Sequence, residues 1–260
     1  MMIAWQLAAG WLVVALAMTL AWAWQRQTRN ASVVDVVWTL STGALAVYYS
    51  LIASGDFSRR MIVAALFATW SLRLGLHLLP RLFHGVEDRR YQKMRAEYGT
   101  AADWRFFLFF QTQAVVAPLF ASVALIAGNA PGELSLFDFA GSTLAVIAIA
   151  GEWLGDRQLA AFRRENKGSQ KVCDVGLWRY TRHPNYFFEW MFWCALVLLS
   201  VSFSWWWLTL GPPLAMFYFL NFVTGIPPAE AQSLASRGDA YRDYQRRTSA
   251  FFPWPPSRGR

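Results

Sequence analysis

The sequence predicts an all-α integral membrane protein with seven transmembrane helices, and three observations support this fold class. Hydrophobic residues make up 56% of the 260 residues, and aromatic residues make up 17%. Only 15% of the residues are charged, whereas a soluble domain carries about a quarter. Several apolar segments also have lengths close to the roughly 20 residues that cross a bilayer as a helix. These segments are residues 3–24, 32–53, 61–79, 105–127, 136–154, 187–203 and 205–226.

The distribution of positive charge predicts the orientation of the chain. With the N-terminus outside, 21 of the 24 Lys and Arg residues fall on the cytoplasmic side, in loops, in the C-terminal tail and, for Arg105, at the cytoplasmic end of a segment. Cytoplasmic loops are enriched in Lys and Arg, so we expect the N-terminus outside and the C-terminus in the cytoplasm. The net charge of +8 then belongs to one membrane face and requires no nucleic-acid partner. Anionic lipid and a phosphorylated cofactor are the partners that this face would suit.

The remaining composition indicates one membrane domain without a metal centre. The first apolar segment has no Lys or Arg before Arg26, so it lacks the basic start of a signal peptide and is expected to span the membrane. Cys173 and Cys194 show neither metal nor redox spacing. The chain contains no repeat, low-complexity run or linker, so residues 1–260 are interpreted as a single domain.

The second and third apolar segments contain ionisable residues, which are costly inside a membrane. Asp35 lies one turn inside the cytoplasmic end of the second segment, where it either faces a cavity or pairs with an Arg such as Arg29. Arg73 and His77 are four residues apart in the third segment, so they share one helix face. Two ionisable groups on one face favour the lining of a cavity over a pair that reaches for the interface.

The charged loop over residues 87–99 has two open interpretations. Its composition suits an amphipathic helix that lies on the membrane surface. Its Arg89, Tyr91 and Arg95 would equally suit a site for adenine and phosphate, because Arg binds phosphate through paired hydrogen bonds. The sequence alone favours neither interpretation.

The stretch from Gly176 to Glu189 concentrates hydrogen-bonding chemistry between two apolar segments. Arg182 is a fixed cation that can bind phosphate or carboxylate, and His183 can change its charge near neutral pH. Asn185 and Glu189 are four residues apart at the start of an apolar run, so they lie on one helix face. A basic surface loop before a helix explains the cations but requires neither Asn185 nor Glu189. The pattern therefore favours a binding site over a surface loop.

The fifth apolar segment continues as a charged helix beyond the membrane. Gly151 and Gly155 have the spacing that permits close helix packing. Asp156 and Arg163 are seven residues apart on one face, either as ligand-binding groups or as a solvated ion pair. The chain has neither a GxGxxG nor a P-loop motif, so helices and loops must hold any nucleotide. After the last segment, the aromatic and Pro residues 251–256 predict a tail that folds back onto the membrane face.

Together these residues resemble the C-terminal half of the membrane steroid 5α-reductase family, in the bacterial branch that is also called the DUF1295 family. The resemblance covers roughly residues 150–255 well, and it extends more weakly over residues 30–105. The matching motifs are Asp156-x-Gln158, Phe162-Arg163, Gly176-Leu-Trp-Arg-Tyr180, Arg182-His-Pro-Asn-Tyr186, Glu189, and the ending Tyr241-x-x-Tyr244 followed by Phe251-x-Pro253.

The resemblance implies an enzyme that binds NADPH at its cytoplasmic side and reduces the Δ4 double bond of a 3-oxo steroid or a similar apolar enone. Residues 128–260 would bind the cofactor, and residues 1–127 would form a substrate cavity that opens to the bilayer. Asp35, as a neutral acid in an apolar site, and His77 would be catalytic, because both could donate to the enolate oxygen. The expected cofactor-binding residues are Arg89, Tyr91, Asp156, Arg163, Tyr180, Arg182, His183, Asn185, Glu189, Trp193, Tyr241 and Tyr244.

Two other hypotheses remain open. The run from Arg182 to Tyr186 also occurs in sterol reductases and in membrane methyltransferases of the isoprenylcysteine carboxyl methyltransferase type, which bind S-adenosylmethionine. The upstream Asp156-x-Gln158 motif favours the reductase, although Phe188 stands where the reductase family usually has Gly. A lipid-binding or transport protein is the third hypothesis, and the lack of inverted repeats disfavours it.

Overall fold

The computed structural model describes residues 2–83 and 87–257, with side chains from Trp5 onwards. In this part of the chain the regular structure is helical and contains no strand, which confirms the all-α prediction. The helices are α1 (Met2–Thr28), α2 (Val33–Ile52), α3 (Phe57–Leu78), α4 (Pro80–Phe83), α5 (Arg89–Tyr98), α6 (Ala102–Gly128), α7 (Leu136–Glu165), α8 (Pro184–Leu198), α9 (Gly211–Tyr218), α10 (Ile226–Arg237) and α11 (Asp239–Arg247).

Within the described residues, six helical segments are long and apolar enough to cross a membrane, in agreement with an integral membrane protein. One of the seven predicted spans is not confirmed. Residues 187–203 form most of α8 and a turn, and the 15 residues of α8 measure roughly 22 Å against the roughly 30 Å of a hydrocarbon core. The orientation of the termini stays a prediction. The six segments are Trp5–Thr28, Val33–Ile52, Phe57–Phe83, Arg89–Gly128, Leu136–Glu165 and Trp206–Arg237.

The chain forms two compact units. Unit 1 contains Met1–Asp138 and Leu199–Leu208, and unit 2 contains Phe139–Leu198 and Thr209–Arg260. Residues 1–127, for which we expect a substrate cavity, therefore belong to unit 1. Most of residues 128–260, for which we expect cofactor binding, belong to unit 2.

In unit 1, helices α1, α2, α3 and α6 pack through small residues and aromatic rings. A Cβ atom on Gly43 of α2 would lie 2.1 Å from the Cβ of Ser71 on α3, so these two helices approach closely because Gly43 has no side chain. The ring of Trp38 meets Trp70 edge to face at 6.2 Å and Phe120 at 5.6 Å. These contacts explain why the apolar segments form a bundle with a packed interior.

A buried ion pair closes one end of unit 1. The side chain of Arg59 is 0% exposed, and its Nε donates to Asp138 Oδ1 at 2.7 Å while its Nη2 donates to Asp138 Oδ2 at 3.0 Å. The remaining donors bind the carbonyl oxygens of Ala130, Gly132 and Glu133 in the loop between α6 and α7. Such paired geometry is what allows a guanidinium to be buried. Arg59 therefore joins α3 to the loop between α6 and α7 from inside unit 1.

In unit 2, α7 and α8 pack through the two predicted glycines. A Cβ atom on Gly151 would lie 2.5 Å from the ring of Phe188, and the ring therefore occupies the space that the glycine leaves. At Gly155 the carbonyl oxygen accepts a hydrogen bond of 2.9 Å from the indole of Trp178. The small-residue spacing thus sets how closely α7 approaches the start of α8.

Up to residue 257, the C-terminal tail folds back within unit 2, as predicted, and its contact with a membrane face stays a prediction. The amide of Arg182 donates to the carbonyl of Ser249 at 2.8 Å, and the amide of Trp254 donates to the carbonyl of Tyr180 at 2.9 Å. The hydroxyl of Thr181 also donates to the carbonyl of Phe251 at 2.9 Å. These bonds hold the tail along the segment that precedes α8.

Candidate functional site

The first turn of α8 presents the predicted binding residues. Pro184 begins this helix, where its missing N–H removes no helical hydrogen bond. The amide of Phe187 donates to the carbonyl of His183 at 3.1 Å, so the chain turns into the helix at His183. Asn185 and Glu189 are one turn apart on α8, as the sequence predicts.

Asn185 carries a hydrogen-bond acceptor that no described residue satisfies. Its Nδ2 donates to Asp156 Oδ1 on α7 at 3.3 Å. The carboxylate of Asp156 can only accept, so this contact turns the amide nitrogen towards Asp156 and the amide oxygen away from it. The Oδ1 atom of Asn185 is buried and has no partner among the described residues. A buried group of this kind costs about 1–3 kcal/mol unless a donor reaches it.

Glu189 and Trp193 complete what we call the Asn185 site, defined as Asp156, Asn185, Glu189 and Trp193. The indole of Trp193 donates to Glu189 Oε1 at 2.9 Å, one helical turn away. Glu189 is 7% exposed and Trp193 is 1% exposed. The Trp193 indole therefore fixes the buried Glu189 carboxylate on α8, the same helix that carries Asn185 Oδ1.

The Asp156-x-Gln158 motif has a structural role at its second position. Gln158 Oε1 accepts a hydrogen bond of 2.9 Å from the amide of Leu177. The preceding residue, Gly176, has a φ of +58°, and a Cβ atom there would lie 2.4 Å from the Gln158 side chain. Only glycine fits both constraints. Gln158 thus fixes the turn that leads to the stretch before α8, while Asp156 faces Asn185.

Arg182, His183, Glu230 and Gln245 form a second polar cluster, which we call the Glu230 hub. Arg182 Nε donates to Glu230 Oε1 at 2.6 Å, and the side chain of Arg182 is 10% exposed. Arg182 Nη1 also binds the carbonyl oxygens of Gln245 and Thr248. At the other oxygen of the carboxylate, Gln245 Nε2 donates to Glu230 Oε2 at 2.7 Å. Arg182 was predicted to bind a cofactor, and its Nε and Nη1 atoms instead bind other residues of unit 2.

His183 is buried within the same hub. Its Nε2 lies 3.3 Å from Glu230 Oε1, and its ring stacks on Tyr186 at 5.3 Å. Burial lowers the pKa of His183 and outweighs the raising effect of the Glu230 carboxylate. The imidazole is therefore neutral at pH 7 and carries its proton on Nε2, from which it donates to Glu230.

The predicted tyrosines and Arg163 lie in different environments. Tyr241 and Tyr244 of α11 are buried, and burial raises the pKa of Tyr241 to about 12. The hydroxyl of Tyr244 donates to the carbonyl of Trp178, so it supports the turn before α8. Tyr180 is 43% exposed, and Arg163 is exposed near the end of α7.

In unit 1, Asp35 belongs to a set of mutually bonded side chains. The hydroxyl of Tyr91 donates to Asp35 Oδ1 at 2.6 Å, and Arg90 Nη2 lies 3.1 Å from Asp35 Oδ2. Asp88 accepts from the amide of Arg90 at 2.9 Å and pairs with its Nε at 3.1 Å. We call Asp35, Asp88, Arg90 and Tyr91 the Asp35 cluster. Asp35 thus pairs with Arg90 rather than with Arg29.

The loop over residues 87–99 forms a helix, α5, whose cap is part of this cluster. Burial raises the pKa of Asp88, but the charges and hydrogen bonds of Arg90, with a contribution from Arg81, leave it below its ordinary value. Glu87 binds Arg95 Nη2 at 2.7 Å and accepts from the amide of Ala31 at 2.8 Å. These contacts support the helical interpretation of the loop and leave its role in cofactor binding untested.

The other predicted residues of unit 1 lie on the outside of the bundle. Arg89 is exposed on α5, and His77 is exposed on α3, one turn beyond the half-exposed Arg73. The structure therefore joins Asp35 with Tyr91, and it gives no contact between Asp35 and His77 among the described residues.

Glu230 and Gln245 complete the surroundings of Arg182 and His183, although neither was among the predicted site residues. Glu230 stands two residues after Pro228, in the first turns of α10, which begins at Ile226. A signal existed, because a buried Arg182 requires a carboxylate partner and few acidic residues follow it in the chain.

The comparisons with known proteins give one match. A family model described as a protein of unknown function, DUF1295, matches residues 21–248. No curated protein and no solved structure matches the chain.

Proposed function

The chain belongs to the DUF1295 family, and we propose that it is an NADPH-dependent membrane reductase that acts on an apolar enone, such as a 3-oxo-Δ4 steroid. The observation that carries this proposal is the buried Asn185 Oδ1, an acceptor without a partner among the described residues. It lies on a helix start that resembles the steroid 5α-reductase family, and its amide is oriented by Asp156.

The residues of the Asn185 site fit the nicotinamide carboxamide. A carboxamide offers two N–H donors, so Asn185 Oδ1 can accept one of them and regain the hydrogen bond that it lacks. The buried Glu189 carboxylate is a second acceptor on the same helix. Arg163, exposed near the end of α7, is the cation of unit 2 that we assign to the phosphates. When bound, the dinucleotide would supply a hydride to the β-carbon of the enone.

The residues of unit 1 would handle the substrate oxygen. The oxygen of the enone would carry the negative charge of an enolate after reduction at the β-carbon, and a proton from solvent would then add to the α-carbon and restore the carbonyl. The Tyr91 hydroxyl donates to Asp35 in the structure, so on this proposal it turns from Asp35 to the enolate oxygen as a hydrogen-bond donor when the enone is bound, and Asp35 with its Arg90 partner keeps the tyrosine in place. His77 is the second donor in the proposal. A donor aimed at such an oxygen is worth about 10²–10³ in rate.

On this proposal the protein lies in the bacterial cytoplasmic membrane, and the enone enters from the bilayer. The excess of Lys and Arg in one set of loops supports an Asn185 site that opens to the cytoplasm, where NADPH is available. No protein partner is required.

A methyltransferase that uses S-adenosylmethionine is the second candidate, and one observation favours it. The Asp156 carboxylate and the Asn185 oxygen are two acceptors on facing helices, and they would also suit the ammonium group of S-adenosylmethionine. The same residues would then orient a methyl donor rather than a hydride donor.

The test is a binding titration of the detergent-solubilised protein with NADPH, NADH and S-adenosylmethionine. We expect NADPH to bind, and Asn185→Ala to weaken its binding about 5- to 150-fold, because removing the acceptor leaves a donor of the ligand unpaired. Asn129→Ala is the matched control, since it removes a half-buried asparagine of unit 1. Unchanged NADPH affinity in Asn185→Ala would contradict the assignment, and preferential binding of S-adenosylmethionine would favour the second candidate.

A further inference from the structure

The Glu230 carboxylate contacts three side chains that come from different parts of unit 2. Its Oε1 atom receives Arg182 Nε at 2.6 Å and faces His183 Nε2 at 3.3 Å, and its Oε2 atom receives Gln245 Nε2 at 2.7 Å. The Glu230 side chain is 15% exposed. Both carboxylate oxygens are thus occupied, and α10 is bonded to α11 and to the two residues that precede α8.

A carboxylate is the group that this arrangement requires. All three partners donate, because Arg182 is a fixed cation, neutral His183 carries its proton on Nε2, and Gln245 turns its amide nitrogen towards Glu230. An ionised carboxylate accepts every one of these bonds and balances the charge of Arg182. A neutral side chain of the same shape would accept fewer bonds and would leave the guanidinium charge without a counterion.

The hub acts on the backbone where α8 begins. The side chain of His183 is held by Glu230, its amide donates to the hydroxyl of Thr181 at 3.2 Å, and its carbonyl accepts from the amide of Phe187 at 3.1 Å. Asn185 follows two residues later, with only the rigid Pro184 between them. The position of His183 therefore sets the direction in which α8 leaves and the place of the Asn185 oxygen.

We infer that Glu230 is a positioning residue for the Asn185 site: it fixes the first turn of α8 through Arg182 and His183, and so couples α10 and α11 to ligand binding. This inference rests on the proposed function, because it assigns the ligand of the Asn185 site. It adds a residue of α10, far along the chain from the motif, to the determinants of cofactor affinity.

Positioning and simple stabilisation have different consequences. If Glu230 only stabilised the fold, its substitution would change ligand affinity by the same factor whether or not Asn185 is present. If Glu230 positions Asn185, most of its effect on affinity disappears once the Asn185 side chain has been removed. A double-mutant cycle separates the two cases.

The experiment measures NADPH affinity of the full-length protein in detergent for wild type, Glu230→Gln, Asn185→Ala and the double variant, below the unfolding temperature of each. We expect Glu230→Gln to weaken binding about tenfold in the wild-type background and less than about twofold in the Asn185→Ala background. Asp239→Asn, at an exposed ion pair of α11, is the control and should leave affinity unchanged. An equal loss in both backgrounds overturns the inference. Glu230→Asp, which keeps the charge, replaces Glu230→Gln in the cycle if the latter does not fold.

A second readout keeps this inference separate from the proposed function. If wild type binds S-adenosylmethionine instead of NADPH, the same cycle is run with that nucleotide. If neither binds, the proposed function fails, and amide hydrogen exchange of the ligand-free protein decides the positioning role. Faster exchange in Glu230→Gln than in Asp239→Asn that is confined to residues 185–189 supports it, and equal exchange, or an equal increase throughout unit 2, overturns it.

Discussion

The Asp35 cluster and the Asn185 site both place polar side chains on helices of a membrane protein, but they differ in whether each buried polar atom has a hydrogen-bond partner. In the Asp35 cluster, the Tyr91 hydroxyl and the Arg90 guanidinium both end on a carboxylate, and within the described residues no buried polar atom of the cluster lacks a partner. In the Asn185 site, one buried oxygen has no donor among the described residues.

This difference separates a stabilising network from a binding site. In the Asp35 cluster every buried polar atom has a hydrogen-bond partner without a ligand, so a substitution there changes the orientation of the remaining side chains of the cluster. A buried acceptor without a partner costs about 1–3 kcal/mol, and a ligand that donates a hydrogen bond to it removes this cost. We therefore assign ligand affinity to the Asn185 site and substrate chemistry to the Asp35 cluster, and the predictions below test this division.

The largest effect is expected at Asp35. Asp35→Leu removes the acceptor that orients the Tyr91 hydroxyl, so reduction of an enone such as a Δ4-3-oxo steroid should fall about 10²–10³-fold. Asp35→Asn keeps the size and an acceptor, so it should retain part of the activity. NADPH affinity should stay the same in both variants, because the proposal assigns cofactor binding to the Asn185 site and not to Asp35. Steady-state turnover and a binding titration measure the two quantities.

Asp103→Leu is the control for this comparison. Asp103 is also an ion-paired carboxylate of unit 1, bound to Arg26 at 3.4 Å, but its side chain is 40% exposed. Its substitution should leave turnover nearly unchanged. Full turnover in Asp35→Leu would show that Asp35 is structural, and His77 would then be the remaining donor.

A smaller effect is expected from pH at the Glu230 hub. The folded-state pKa of His183 is lowered, so below about pH 6.5 the unfolded chain gains a proton that the folded protein does not yet bind. The free energy of unfolding should therefore fall as the pH falls through this range, by at most about 1.4 kcal/mol per pH unit, and should not depend on His183 above it. Thermal unfolding of wild type and His183→Gln between pH 7.5 and 5 measures the difference. Parallel curves for the two proteins would contradict the buried, neutral histidine.

The elements of the fold that depend on local composition could be predicted from the sequence. Long apolar segments predicted a helical membrane protein, because a single segment can form all of its backbone hydrogen bonds inside a membrane only as a helix. The spacing of Asn185 and Glu189 gave their common helix, and the glycines at 151 and 155 gave the close packing of α7 and α8. The folded-back tail followed from its aromatic residues.

Long-range partners could not be predicted, because nothing in the sequence states which charges meet. Arg59 is buried against Asp138, which lies far along the chain. Asp35 pairs with Arg90 rather than with the nearby Arg29. The pairing of Glu230 with Arg182 also joins residues far apart in the chain. The span predicted at residues 187–203 is not confirmed, because the apolar composition continues through the turn after Leu198, where α8 ends.

The most direct test of the account is to identify the nucleotide that copurifies with the protein. Mass spectrometry of the small molecules released from the detergent-solubilised wild type should detect NADP⁺ or NADPH, and the same preparation of Asn185→Ala should contain much less of it. Recovery of S-adenosylmethionine or its demethylated product instead would contradict the central claim. So would equal amounts of NADP⁺ or NADPH in both proteins.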